Sequence, residues 1–94
     1  MGALAANIRQ AVRDERYVFG VHADDRLRER RIVGWQVVEG LDTARLIREP
    51  PDATPNLVVE FDQLLADGTP FKSVWAWISP DHIAKLVTVH FFDR

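Results

Sequence analysis

The chain has 94 residues, of which 47% are apolar and 28% charged. This composition is that of one globular domain, and it excludes a disordered chain. Without cysteine, disulfides and thiolate metal sites are excluded as well. The formal charge of −2 argues against a broad positively charged surface that would bind nucleic acid. The N-terminus does not resemble a signal peptide and no run is apolar enough to span a membrane, so we expect a cytoplasmic protein with no membrane partner.

Three helices and one short extended segment are predicted in the first half of the chain, at residues 3–15, 17–21 (extended), 22–31 and 33–41. The first helix places Ile8 and Val12 on one apolar stripe. The second is mostly charged, which predicts an exposed helix. The third is expected to direct Trp35, Val38 and Leu41 inward.

The second half changes from a helical to an alternating period, which predicts four strands, at residues 43–50, 56–65, 71–79 and 83–92. The third of these strands places Phe71, Trp75 and Trp77 on one face. The last is apolar on both faces, so we expect it to be central in the sheet or covered. Residues 51–55 form a turn-rich loop. Helices followed by strands predict an α+β fold, with two or three N-terminal helices packed on one face of an antiparallel sheet of about four strands.

The second helix carries a stripe of histidine and arginine. His22, Arg26 and Arg30 are four residues apart, which confines them to an arc of ~80° on a helix. Two guanidinium groups beside an imidazole suit a phosphate or carboxylate, and the imidazole can transfer a proton near neutral pH. Alternatively, Arg26 and Arg30 form surface ion pairs with Asp25 and Glu29. The spacing alone favours this solvated face, because charged helices are common.

Further polar and aromatic candidates lie in the second half. His90 shares a face of the last strand with Thr88, where it is either a hydrogen-bonded core histidine or the partner of a helix laid across that face. His82 is expected to be an exposed turn residue. Trp75 and Trp77 could stack bases, but core or dimer-interface packing is the favoured interpretation. No metal-ligand spacing or phosphate-binding loop is present, so we expect no metal and no cofactor.

The order of these segments resembles the domain-of-unknown-function 4258 family, whose members look like small relatives of the RelE, ParE and BrnT toxins. The resemblance covers roughly residues 18–92. It rests on His22, Arg26 and Arg30, which match a His-Ala-x-x-Arg-x-x-x-Arg pattern, and on Thr88 in Val-Thr-Val. Where the family usually has a tyrosine or small polar residue, this chain has His90. The expected organisation is one domain over 1–94, with 1–16 as an N-terminal helical extension of a toxin-like core over 18–92.

The resemblance implies a toxin-like fold, RNA binding or cleavage, and an antitoxin partner that covers the site. The catalytic residues would then be His22, Arg26, Arg30 and His90. One histidine would take the proton of the 2′-hydroxyl, the other would protonate the leaving oxygen, and the arginines would stabilise the phosphoryl charge. Substrate contacts are expected from Lys72 and Thr88. This mechanism requires the four catalytic side chains to converge on one cleft.

A non-catalytic interaction module is the alternative. In that case the arginine-bearing helix docks on an acidic partner chain, or on a second copy in a homodimer, and the hairpin that carries the tryptophans supplies the interface. An antitoxin-like or immunity-like role is consistent with the net acidity.

Overall fold

The computed structural model describes residues 3–50, 56–79 and 81–92, and over these residues three helices pack on a five-stranded mixed sheet. The elements are α1 (Ala3–Arg13), β1 (Tyr17–Phe19), α2 (Val21–Arg30), α3 (Gly34–Gly40), a 3₁₀ turn (Leu41–Thr43), β2 (Arg45–Arg48), β3 (Val58–Leu64), β4 (Pro70–Ile78) and β5 (Ile83–Phe91). The α+β class is therefore confirmed, while the loop predicted at 51–55 lies outside the described residues. None of the described helices is long and apolar enough to cross a membrane.

The strands lie in the order β1-β5-β4-β3-β2. The four strands β2 to β5 pair antiparallel, as predicted, and β5 lies between β1 and β4, which confirms its prediction as a central strand. The prediction of a purely antiparallel sheet is wrong, because β1 adds a fifth strand that pairs parallel with β5, with Tyr17 opposite Ala84. A three-residue strand carries no readable alternation, and its partner lies at the far end of the chain.

The core lies between the helices and one face of the sheet. Four residues of α1 contribute to it, which confirms the apolar stripe of this helix: Ala5, Ile8, Ala11 and Val12. From the sheet come alternate residues, including Phe61, Phe71, Trp75 and Leu86, all fully buried. The period-2 pattern of β3 and β4 was therefore a sound guide to which face is covered.

The inward face of α3 differs from the prediction. Trp35 is 58% exposed, and Val37 is fully buried in its place. The helix begins at Gly34, where an added Cβ would come within 2.6 Å of the Phe19 ring. Val37 packs in the core and its carbonyl oxygen accepts a hydrogen bond from Gln63. Val38 packs against the core and Leu41 is buried, as predicted.

A buried polar network joins α3 to the sheet. The Gln63 side-chain amide donates to the carbonyl oxygen of Val37 (Nε2 to O, 3.0 Å) and accepts a hydrogen bond from the Ser73 hydroxyl. The indole of Trp75 donates to the same hydroxyl (Nε1 to Oγ, 3.2 Å). Each polar side chain of the network has a partner, as groups in a dry core require.

Candidate functional site

The arginine-bearing helix lies at the edge of the sheet. The pairing of β1 with β5 ends where the Gly20 N–H donates to the Leu86 carbonyl oxygen (2.9 Å), and α2 begins at the next residue and packs against β5. Because α2 is helical from Val21 to Arg30, His22, Arg26 and Arg30 lie on one of its faces, with Arg30 in the last turn.

A row of polar side chains crosses the sheet on the face opposite the buried core. Asp62, Lys72 and His90 are direct cross-strand partners on β3, β4 and β5, and Arg45 of β2 extends the row beyond Asp62. Neighbouring residues in the strands point into the core, so this alternation leaves the row on the open face. Directly opposed side chains in a sheet are close enough to interact.

The ammonium group of Lys72 is fixed by a carboxylate on the neighbouring strand. Its Nζ lies 3.3 Å from Oε1 of Glu60, whose other oxygen, Oε2, lies 3.5 Å from Nε of Arg48. The Glu60 side chain is only 16% exposed, while that of Lys72 is 30% exposed. Lys72 is thus held in place and still open to a ligand.

The end of this row opens into a hollow of about 370 Å³. Its lining residues come from α2, β4 and the end of β5: Arg30, Lys72, His90, Phe91 and Phe92. The guanidinium carbon of Arg30 lies 5.8 Å from the centroid of the Phe91 ring, a cation–π distance. Nε of Arg30 is buried with no hydrogen-bond partner among the described residues. The hollow therefore combines two cations, an imidazole and two aromatic rings that are each more than one third exposed.

The environment of His90 favours its neutral form. Burial lowers the pKa of His90 below its usual value, and the positive charges of Lys72, Arg30 and Arg26 lower it further, against a smaller opposing effect of Glu60. At neutral pH the imidazole is consequently unprotonated and able to accept a proton or a hydrogen bond.

The remaining predicted site residues lie apart from this hollow. His22 is exposed in the first turn of α2 and is not among the lining residues. Arg26 is near enough to influence His90, but its Nη1 is bound to Oε1 of Glu29 at 2.7 Å. Thr88 shares the open face with His90 and lies opposite Val74, two pairs further along the strands. The structure thus brings together Arg30, Lys72 and His90 and leaves His22 outside.

The solvated-face interpretation of α2 holds for part of the helix. Arg26 pairs with Glu29, and Arg28 lies 3.9 Å from Asp25, both at helical i,i+3 spacing on exposed side chains. Such pairs contribute little to stability. Among the described residues, no ion pair involves Arg30, so this arginine is the member of the stripe that is directed to the hollow.

Sequence reasoning missed three residues of this region, namely Phe91, Phe92 and Glu60. The two phenylalanines directly follow His90, and the run His-Phe-Phe at the end of a strand could have indicated an aromatic surface beside a polar group. Glu60 contacts Lys72 diagonally, because the β3–β4 register places Glu60 opposite Val74 and Asp62 opposite Lys72, and the alternation within β3 alone does not specify such a contact.

Comparisons with protein-family models, curated proteins and solved structures found no match to this chain. The resemblance to the toxin-like family therefore stays a prediction. In the described part of the chain, no group of three or more His, Cys, Asp or Glu side chains is arranged to hold a metal ion.

Proposed function

We propose that this domain binds RNA in the hollow formed by Arg30, Lys72 and His90, and that it cleaves the bound strand by attack of a 2′-hydroxyl on the adjacent phosphorus. The observation that carries the proposal is the convergence of two cations and a neutral imidazole beside two exposed phenylalanine rings. Cations of this kind contact phosphates, and aromatic rings stack on unpaired bases.

The charge distribution suits a contact with few phosphates. The chain is acidic overall, so it lacks the broad positive field of proteins that bind along a nucleic-acid backbone. Two cations can contact one or two phosphates, with bases on Phe91 and Phe92. Since Nε of Arg30 is buried without a partner, a phosphate oxygen that draws the guanidinium outward would also relieve the cost of that unpaired donor.

In the proposed cleavage reaction, each polar side chain of the hollow has a distinct role. His90, neutral at physiological pH, takes the proton of the 2′-hydroxyl as its oxygen attacks the phosphorus. Arg30 and Lys72 stabilise the charge that develops on the phosphoryl oxygens. The 5′-oxygen then leaves, and the ammonium group of Lys72 is the proton donor available within the hollow. His22 has no part in this version of the mechanism.

Binding is tested with a labelled single-stranded oligoribonucleotide. We expect Lys72→Gln to weaken binding by about tenfold, the loss of one charge-assisted contact. Lys85→Gln is the matched control, because Lys85 is exposed on the same sheet face and pairs with Ala76, away from the hollow. Equal affinities of the two variants would overturn the proposed site.

Cleavage is tested on the same oligoribonucleotide with His90→Gln. We expect this variant to bind RNA with nearly unchanged affinity while the cleavage rate falls by about 10²-fold or more, the usual contribution of a general base. Products ending in a 2′,3′-cyclic phosphate would identify the 2′-hydroxyl as the nucleophile. Undiminished cleavage by His90→Gln would refute the mechanism while leaving RNA binding to the test above.

The burial of the hairpin tryptophans removes one argument for the alternative function, a non-catalytic interaction module. That alternative relied on the hairpin tryptophans as an interface, and Trp75 is fully buried in the core while Trp77 is half-buried against it. What remains for that alternative is the charged surface of α2.

A further inference from the structure

A second hollow, of about 260 Å³, lies between α1 and the turn that joins β4 to β5. Five side chains line it: Asn7, Gln10, Arg16, Trp77 and His82. None of them lines the hollow around His90, which is built at the opposite end of the β4–β5 hairpin. The second hollow is therefore a separate feature, and neither the proposed RNA site nor the polar row on the sheet makes use of it.

Two aromatic rings form a corner of this hollow. The indole of Trp77 and the imidazole of His82 meet edge to face, with centroids 5.7 Å apart and planes at 67°. His82 has φ 56°, in the left-handed region that few non-glycine residues adopt. The Arg16 guanidinium donates to the His82 carbonyl oxygen, and the Arg16 carbonyl accepts from Ala84 N–H at 3.0 Å. These bonds fix the backbone of the turn from which the imidazole extends beside the indole.

Two carboxamides face the hollow from α1. Asn7 and Gln10 are three residues apart and so lie on one side of the helix. Gln10 is oriented by its neighbours, because its Nε2 donates to Oδ1 of Asp14 (3.0 Å) and its Oε1 accepts from Nη1 of Arg13 (3.3 Å). Asn7 makes no hydrogen bond to another described residue and is exposed. Its amide therefore offers both a donor and an acceptor to a ligand.

We propose that this second hollow binds a nucleobase, stacked on Trp77 beside His82 and hydrogen-bonded along its edge by Asn7. A carboxamide has the paired donor and acceptor that match a base edge, and an indole is a stacking surface for any base. The volume lies just below the range of about 300 to 1,000 Å³ typical of sites for drug-sized ligands, so it suits one planar ring system. The proposal does not rest on RNA binding at the His90 hollow.

The test is an NMR titration of the full chain with AMP, GMP, CMP and UMP, and with ribose 5-phosphate, which has no base. We expect the indole N–H signal of Trp77 to shift saturably with at least one mononucleotide, with a dissociation constant on the order of 1 mM. Ribose 5-phosphate should leave that signal in place. An equal shift with ribose 5-phosphate would overturn the proposal, because the phosphate would then be what binds.

A titration with a single-stranded oligoribonucleotide distinguishes two sources of the bound base, a free nucleotide and an unpaired base within RNA. A shift with mononucleotides shows that a free nucleotide is sufficient, whereas a shift with the oligoribonucleotide alone identifies an unpaired base within RNA. Either result supports the proposal. The absence of a shift with all of these probes up to about 10 mM would refute it.

Matched variants assign the binding to the hollow. We expect Trp77→Leu and Asn7→Ala each to weaken binding by about fivefold or more, while Trp35→Leu and Asn56→Ala leave it unchanged. Trp35 and Asn56 are not among the lining residues. If Trp77→Leu fails to fold, Asn7→Ala and His82→Ala decide the matter, since both side chains are exposed. Unaltered binding in those two variants would contradict the assignment.

Discussion

At the scale of single residues, the main feature of the His90 environment is the positive charge of three neighbouring side chains. His90 lies directly across from Lys72 and within the electrostatic reach of Arg30 and Arg26, in a partly buried position. Protonating it would add a fourth positive charge to this group. The same surroundings that would attract a phosphate therefore keep the imidazole in the form that accepts a proton.

The pH dependence of stability follows from the lowered pKa of His90. As the pH falls, the unfolded chain binds this proton before the folded protein does, so unfolding is favoured. The stabilisation is complete above the unfolded-state pKa of about 6.5 and is lost as the pH drops from there through the folded-state value. We expect urea unfolding to show a lower free energy of unfolding at about pH 5.5 than at about pH 7.5.

A pair of histidine variants isolates this effect. His90→Gln should reduce the loss of stability between the two pH values, whereas His22→Gln, at an exposed position of α2, should keep the wild-type difference. The same pH dependence in wild type and His90→Gln would show that another group is responsible.

At the scale of elements, α2 ends on a residue with an unfavourable backbone conformation. Arg31 follows the helix with φ 57° and ψ 37°, and its N–H bonds back to the carbonyl oxygens of Leu27 and Arg28. This left-handed cap position is usually taken by glycine. The chain thus places an arginine next to Arg30 at some cost in stability.

Exchanging arginine for glycine should have opposite effects at two neighbouring positions. Arg31→Gly relieves the left-handed strain and is expected to raise the free energy of unfolding by up to about 1 kcal/mol. Arg28→Gly, inside the helix, should lower it by about 1 kcal/mol. Chemical denaturation of both variants is the measurement, and destabilisation by Arg31→Gly would mean that the arginine side chain makes a contribution larger than the strain.

The buried network between α3 and the sheet should be sensitive to the loss of one hydroxyl. Ser73→Ala removes the group that bonds both Gln63 and the Trp75 indole, and it leaves two buried polar atoms without this partner. We expect a loss of about 1 to 3 kcal/mol in the free energy of unfolding. Ser79→Ala, at an exposed turn position, is the control and should change it by less than about 0.5 kcal/mol.

The elements that sequence predicted well are those whose pattern is local. The alternation in β3 and β4 predicted their buried faces, because one face of each strand meets the core, and β3, β4 and β5 begin and end within two residues of their predicted limits. The parallel pairing of β1 and the rotation of α3 were not accessible in this way. Both depend on contacts between distant segments, such as the approach of Gly34 to the Phe19 ring.

The candidate site was only partly accessible to the same reasoning. The facing positions of Lys72 and His90 follow from the β4–β5 register. The placement of Arg30 depends on where α2 lies at the sheet edge, which no helical period specifies. His22 has the same period as Arg30 on the helix, but it lies at the opposite end of α2.

At the scale of the whole molecule, α1 is part of the core, although the sequence predicts it as an N-terminal extension. Ile8 and Ala11 of this helix are fully buried against the sheet, and the Arg9 guanidinium lies 5.1 Å from the centroid of the Phe61 ring and donates to the Ala44 carbonyl oxygen at 2.6 Å. Removing the helix would expose the apolar sheet face.

Deletion of residues 1–13 should therefore abolish cooperative unfolding, as monitored by circular dichroism during heating. Burial of a side chain such as Ile8 contributes about 1.5 to 3 kcal/mol, a large share of the 5 to 15 kcal/mol typical of a domain. As a graded test, Ile8→Ala should cost about 2 to 5 kcal/mol and its neighbour Asn7→Ala less than about 0.5 kcal/mol. A cooperative transition in the deletion variant would identify α1 as a dispensable appendage.

The burial of Trp75 has a practical consequence for spectroscopy. Its indole is shielded from water and donates to Ser73, that of Trp77 is half-buried, and that of Trp35 is 58% exposed. The three indoles consequently lie in environments of different polarity, and the emission of the folded protein should be a sum of blue-shifted and red-shifted components. A chain that retains Trp75 as its sole tryptophan would emit at short wavelength, and its emission maximum would report the integrity of the α3–sheet contact.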